Sequence, residues 1–130
     1  MSDVTLSDRR FLLDTNICIY LLTGRSDLLR ERVESRRLGE VVTSAIVRAE
    51  VLLGAAAHGQ VDRAGRLFDQ IEALPFDAAA AEAYAKLPFR RGDFDRLLAA
   101  HALSLGLTLV TANVADFADV PGLAVEDWTQ

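Results

Sequence analysis

Four acidic side chains of this sequence occupy positions where a carboxylate is costly to keep. Asp14 ends the apolar run of RFLLDTN, which reads as a buried strand, and an unpaired buried carboxylate costs several kcal/mol unless a partner, a helix cap or a cation holds it. Glu50, in SAIVRAEVLLGAA, has Ile46, Val47, Leu53 and Gly54 at its helical neighbour positions, so on a helix it interrupts an apolar stripe. Asp95, in GDFDRLLAAHAL, shares a helical side with Leu98, Ala99 and Ala102. Asp116 and Asn113 both follow the strand-like TLVT. Each position has an ordinary explanation of its own. Asp14 could cap a helix starting near Thr15, either Asp93 or Asp95 could cap the next acid-bearing helix, and Asp116 could be a solvated loop acid. One convergent cluster accounts for all of them together.

Three or four carboxylates brought into proximity repel and raise one another's pKa unless a cation neutralises them. Cys18 is the only cysteine, and His58 and His101 stand in no metal-ligand spacing, so the ligands would be oxygens alone. Such a set selects Mg²⁺ or Mn²⁺ over Zn²⁺. Mg²⁺ held by one or two carboxylates keeps several waters, which is the arrangement that phosphate substrates enter. Signatures of other chemistries are missing: no G-x-x-x-x-G-K-[ST], no G-x-G-x-x-G, no H-E-x-x-H and no G-x-S-x-G.

Elements must deliver these acids to one place. Short β-like runs at residues 11–13, 41–43, 74–76, 107–111 and 123–125 alternate with longer helical patterns, one of them an Ala-rich helix that includes residues 78–81 and ends near Pro88. That order predicts an α/β fold with a mainly parallel central sheet and helices on both faces. In such sheets ligands collect beyond the carboxyl ends of the strands, where Asp14 and the Asn113–Asp116 pair both fall.

Composition bounds the partners. One hundred and thirty residues with 51% hydrophobic content fit a single domain over residues 1–130. No apolar run approaches the roughly 20 residues of a membrane span and no signal peptide is visible, so a cytoplasmic protein with no membrane association is expected. Cys18, flanked by Ile17, Ile19 and Leu21, reads as a reduced core thiol. A net charge of −5 argues against indiscriminate coating of nucleic acid, yet it leaves room for local arginine groups. These lie at Arg9-Arg10, at Arg30, Arg32, Arg36 and Arg37, and at Arg90-Arg91, the last just before Asp95 and so preferred over Arg36 and Arg37 as a contact for RNA.

Taken together, LLDTNICIYLL, VVTSAIVRAEVLLGA and FDRLLAAHALSLGLTLVTANVADFADVPGLAVEDW resemble the PIN domains of VapC-type toxins, with the blocks in that family's order. The resemblance implies a three-layer PIN-like fold and a metal-dependent endoribonuclease that cuts RNA, a structured RNA such as a tRNA being preferred. It places Asp14, Glu50 and Asp95 on the principal metal-binding acids, Asp116 on a fourth, more variable one, and Asn113 on a neighbouring site position, with Mg²⁺ as cofactor and Mn²⁺ able to substitute. It further implies a VapB-like antitoxin as partner and a homodimer. His101 matches a common family histidine and is read as a packing or supporting residue; Asp93 receives no role. The stretch between Tyr84 and Asp95 is shorter than in many relatives.

Two other readings remain open at this stage. A catalytically silent PIN-like binding module would use the fold for partner contact alone, against which the intact acid set counts. An aspartate-based phosphatase or phosphotransferase would use Asp14 as nucleophile, and Asn16 stands where such enzymes carry a second Asp. The segment NICIYLLTGRSDLLRERV carries more Leu, Ile and Tyr than two short helices would bury, which predicts a partner surface.

Overall fold

The computed structural model describes residues 8–88 and 93–130. Five strands alternate with helices: β1 (Phe11–Leu13), α1 (Thr15–Thr23), α2 (Asp27–Glu34), β2 (Val41–Ser44), α3 (Ala45–Ala57), α4 (Val61–Gln70), β3 (Ala73–Leu74), α5 (Ala78–Ala85), α6 (Phe94–Leu105), β4 (Thr108–Val110) and β5 (Val125–Glu126), with a 3-10 turn at Val114–Phe117 before β5. All strand pairs are parallel, in the order β3-β2-β1-β4-β5. Among the described residues, no helix is long and apolar enough to cross a membrane.

Strand alternation builds the layers. Phe11 and Leu13 join Ile17, Cys18, Leu29, Val47, Val51, Phe68 and Trp128 in one apolar cluster, while Leu12 between them joins Val42, Leu74, Ala99, Ala102, Leu109 and Phe117 in another. β1 is therefore buried on both faces, as the core strand of a parallel sheet must be. Helix ends are set locally. Ser26, Ser44, Asp77 and Asp93 each accept a backbone N–H as N-caps. Gly106, at φ 67°, ends α6 in the left-handed conformation that a side chain would resist, and the Leu107 N–H returns to the Ala102 carbonyl at 2.9 Å.

Strand order also locates the site. The chain leaves β1 for β2 and β3 on one side, then crosses to β4 and β5 on the other, so the direction of winding reverses between β1 and β4. At such a switch point the loops beyond the carboxyl ends part and leave a crevice. Leu13 pairs with Val110, so the residues that enter this crevice first are Asp14 and Thr111.

Candidate active site

Asp14 is fixed from three directions. Its backbone N–H donates to the Val110 carbonyl at 3.0 Å, and its Oδ1 accepts the Ile17 N–H at 2.9 Å, which caps α1. The capping explanation thus holds, and it does not exhaust the carboxylate, because the Thr111 hydroxyl hydrogen-bonds it as well. Burial, with only 5% of the residue exposed, pushes its pKa up; the Thr111 and Ile17 hydrogen bonds oppose that rise, and the charges of Glu50 and Asp127 add to it. Thr111, itself fully buried, also accepts the Asn113 N–H at 3.0 Å. One hydroxyl therefore orders both Asp14 and the turn that carries Asn113 and Asp116.

Glu50 lies in the second turn of α3, half-buried, and receives the Thr15 hydroxyl on Oε1 at 2.5 Å. Thr15 is the residue after Asp14, so this bond ties the first acid to the second. The apolar-stripe reading of Glu50 needs correction. Val47, Val51 and Ala55 form the buried stripe, whereas Leu53 is 76% exposed, which puts Glu50 at the border of the stripe.

On α6 the choice between two caps is settled: the Asp93 side chain accepts the Arg96 N–H at 3.0 Å, leaving Asp95 free of that duty. Asp95 is exposed by area, yet protein crowds one side of its carboxyl, and that partial burial raises its pKa first. The negative charges of Asp93, Asp14, Asp116 and Glu50 raise it further. A single carboxyl thus feels all three other acids singled out in the sequence, which come from β1, α3 and the 3-10 turn. Asp116 and Asn113 are exposed on that turn, where the Asp116 N–H donates to the Asn113 carbonyl at 3.0 Å.

Among the described residues, no three His, Cys, Asp or Glu side chains close tightly enough to enclose an ion. The acids act on one another through charge. Asp14, Glu50, Asp95 and Asp116 offer oxygen donors only, and burial together with neighbouring acids raises the pKa of Asp14 and Asp95; both features fit a hard divalent cation.

His101 is buried away from solvent. Its Nδ1 lies 2.9 Å from the Ser44 hydroxyl that caps α3, its ring hydrogen-bonds the Pro75 carbonyl, and it meets the Phe76 ring edge-on at 5.4 Å. These contacts join the ends of β2 and β3 to α6. Burial lowers its pKa, against the opposing pull of Asp77 and the Pro75 bond.

Three contributors escaped the sequence reading. Thr15 and Thr111 were passed over because a hydroxyl carries no charge to flag it, although both adjoin flagged residues or strand ends. Asp127, whose charge reaches Asp14 and whose Oδ1 accepts the Thr129 N–H and hydroxyl, follows β5 just as Asp14 follows β1. The strand-end rule applied to β5 would have found it. The arginines divide: Arg9 and Arg10 pair with Glu72 and Glu40, and Arg36 stacks over Phe11 at 4.5 Å and Trp128 at 5.3 Å, at the amino end of β1 and so opposite the acids. Arg90 and Arg91 lie outside the described residues.

The family model for the PIN domain matches residues 11–123. The chain is 34% identical over 131 residues to the tRNA(fMet)-specific endonuclease VapC of Shigella flexneri, a match that covers 92% of this chain and 98% of that one. Its fold is similar to that in the crystal structure of DNA-bound VapBC from Salmonella typhimurium, with a TM-score of 0.79, 29% identity, and 92% and 98% of the two chains covered. It is similar also to a chain of a toxin-antitoxin complex from Klebsiella pneumoniae, with a TM-score of 0.72, 27% identity, and 87% and 94% covered. Sequence and structure agree over nearly the whole length: the chain belongs to the PIN domain family, among the VapC proteins.

Proposed function

We propose that residues 1–130 form one PIN-like domain acting in the cytoplasm as a metal-dependent endoribonuclease, the toxin half of a VapBC-type pair. The observation that carries this reading is the convergence of Asp14, Glu50 and Asp116 on Asp95. Asp14, Glu50 and Asp95, with Asp116 and Asn113 beside them, would hold Mg²⁺, with Mn²⁺ able to substitute. When bound there, such a cation neutralises charge on a phosphodiester and makes water acidic enough to attack it.

The chain's own residues supply the frame. Asp14, locked by the α1 cap and by Thr111, is the rigid anchor; Thr15 holds Glu50 toward the same point. Thr111 sets the Asn113–Asp116 turn against β1. Asp95, in the first turn of α6 and without capping duty, completes the set. A relative of 34% identity is named as specific for a tRNA, which supports a structured RNA as substrate.

The phosphatase reading loses ground on geometry, since Asp14 is 5% exposed with one oxygen committed to Ile17. For the partner, a groove of about 560 Å³ lies between the end of α1 and α4, lined by Leu21, Leu22, Arg63, Arg66 and Leu67 among others. Ile19 and Leu28 on α1 and α2 are also more than a third exposed. We read this face as the seat of an antitoxin helix whose basic side chain reaches the acids, with homodimerisation of the toxin alongside. The deciding experiment is incubation of the purified chain with RNA, DNA and a small phosphate ester over a Mg²⁺ and Mn²⁺ titration. Cleavage of RNA alone, dependent on metal, supports the reading; hydrolysis of the ester alone, or no cleavage of any substrate, overturns it.

A further inference from the structure

Arg96 sits where an arginine is doubly disfavoured. It lies in the first turn of α6, where the helix dipole repels a cation, and it is only 5% exposed. Its guanidinium is held by groups from other segments: Nη1 lies 3.2 Å from both carboxylate oxygens of Asp119, and Nη2 donates to the Pro88 carbonyl at 3.1 Å. The guanidinium is buried while the Asp119 carboxylate reaches solvent, and taking such a cation out of water costs much of what the pairing returns, so stability alone is a poor reason to have it; fixing one element against another is the better-attested use.

The elements so fixed are informative. Arg96 follows Asp95 directly, and Asp119 lies three residues beyond Asp116, on the segment that closes the 3-10 turn. The clasp thus runs between the two acid-bearing elements on the β4 side of the crevice. Because the two contacts join α6 to the segment just after the 3-10 turn, the clasp bears on Asp95 and Asp116 through the backbone that carries them. We propose that Arg96, clasped to Asp119 and the Pro88 carbonyl, is a positioning residue that sets the separation between Asp95 on α6 and Asp116 on the 3-10 turn. The inference rests on the metal-site reading above and extends it to a residue outside the ligand set.

The test uses the full chain without RNA, with Mn²⁺ binding followed by calorimetry. The double variant Arg96→Met/Asp119→Leu replaces the pair by apolar groups and should keep the fold while binding Mn²⁺ roughly 10–100-fold more weakly, the range for loss of a residue that orients metal ligands. Arg96→Lys, a milder change that keeps the charge and loses the fork, should fall between that variant and wild type. Leu29→Ala, which opens a cavity in α2 on the other face of the sheet, controls for general destabilisation and should lower the melting temperature without changing Mn²⁺ affinity. Wild-type affinity in both Arg96 variants, or an equal loss in Leu29→Ala, would overturn the positioning role alone. Absence of Mn²⁺ binding by the wild-type chain would overturn the metal-site reading and this one with it.

Discussion

Thr15→Val isolates the tie between the first two acids. The substitution keeps the side-chain shape and removes only the O–H that Glu50 receives at 2.5 Å. A hydrogen bond to a charged group contributes about 1.5–3 kcal/mol net. Thr15 and Glu50 are both half-buried, so water competes for the carboxylate and the net loss falls to about 1 kcal/mol. With roughly 2.1 cal/mol/K of unfolding entropy per residue, a chain of 130 residues converts that loss into a fall in Tm of about 4 °C. Glu50 loses its orientation as well, so Mn²⁺ affinity should drop by about tenfold. Thermal unfolding in EDTA measures the first effect and calorimetric titration the second. An unchanged Tm together with unchanged Mn²⁺ affinity would refute the idea that Thr15 aims Glu50.

Other expectations follow from the burial and charge of single groups. Asp14 and Asp95 have raised pKa values, so whatever they contribute to stability is present below the unfolded value of 3.8 and is lost as pH rises through the folded one. At pH 7 their charged forms therefore weigh against the metal-free fold. Asp14→Asn and Asp95→Asn should each raise Tm in EDTA, the former because Asn caps a helix as well as Asp does, and a fall in both would contradict a clustered site. His101 is shifted the other way: its contribution is present above pH 6.5 and is lost as pH drops through its lowered pKa. Between pH 7 and pH 5, urea unfolding should show wild type losing more stability than His101→Gln; parallel losses would remove His101 from the account. The Cys18 thiol is fully buried and its pKa pushed up to about 12, so at pH 8 it should react with a thiol reagent only as fast as the chain unfolds. Labelling within seconds in native buffer would show an open core.

Some of this was legible in the sequence because a strong local signal agreed with the tertiary outcome. β1 is a fully apolar run bracketed by polar residues and β4 a β-branched and apolar one, and their strands fall inside the expected 11–13 and 107–111. Where local signals compete, boundaries shift. β3 was expected at 74–76, but Pro75 has no N–H for a ladder, and the strand is Ala73–Leu74, paired with Thr43 and Ser44. Leu107 reads as strand by composition, yet its N–H closes the end of α6. At the site, charged residues announced themselves and their supports did not. No spacing rule separates Thr15 from an ordinary helix Thr, and Arg96 looks like a solvated helix arginine until its Asp119 partner, 23 residues away, is seen. The Glu50 stripe failed for a related reason: Leu53 was assumed buried because it is Leu, whereas the fold leaves it in solvent.

The central claim is that Asp14, Glu50 and Asp95 form one cation site that hydrolyses RNA. Its most direct test is single-turnover cleavage of an RNA substrate by wild type, Asp14→Asn, Glu50→Gln and Asp95→Asn, each with Mn²⁺ and with EDTA. The account predicts cleavage by wild type with Mn²⁺ only, and none by any of the three variants, although each remains folded. Cleavage by wild type in EDTA, or wild-type cleavage by any one of these variants, would contradict it.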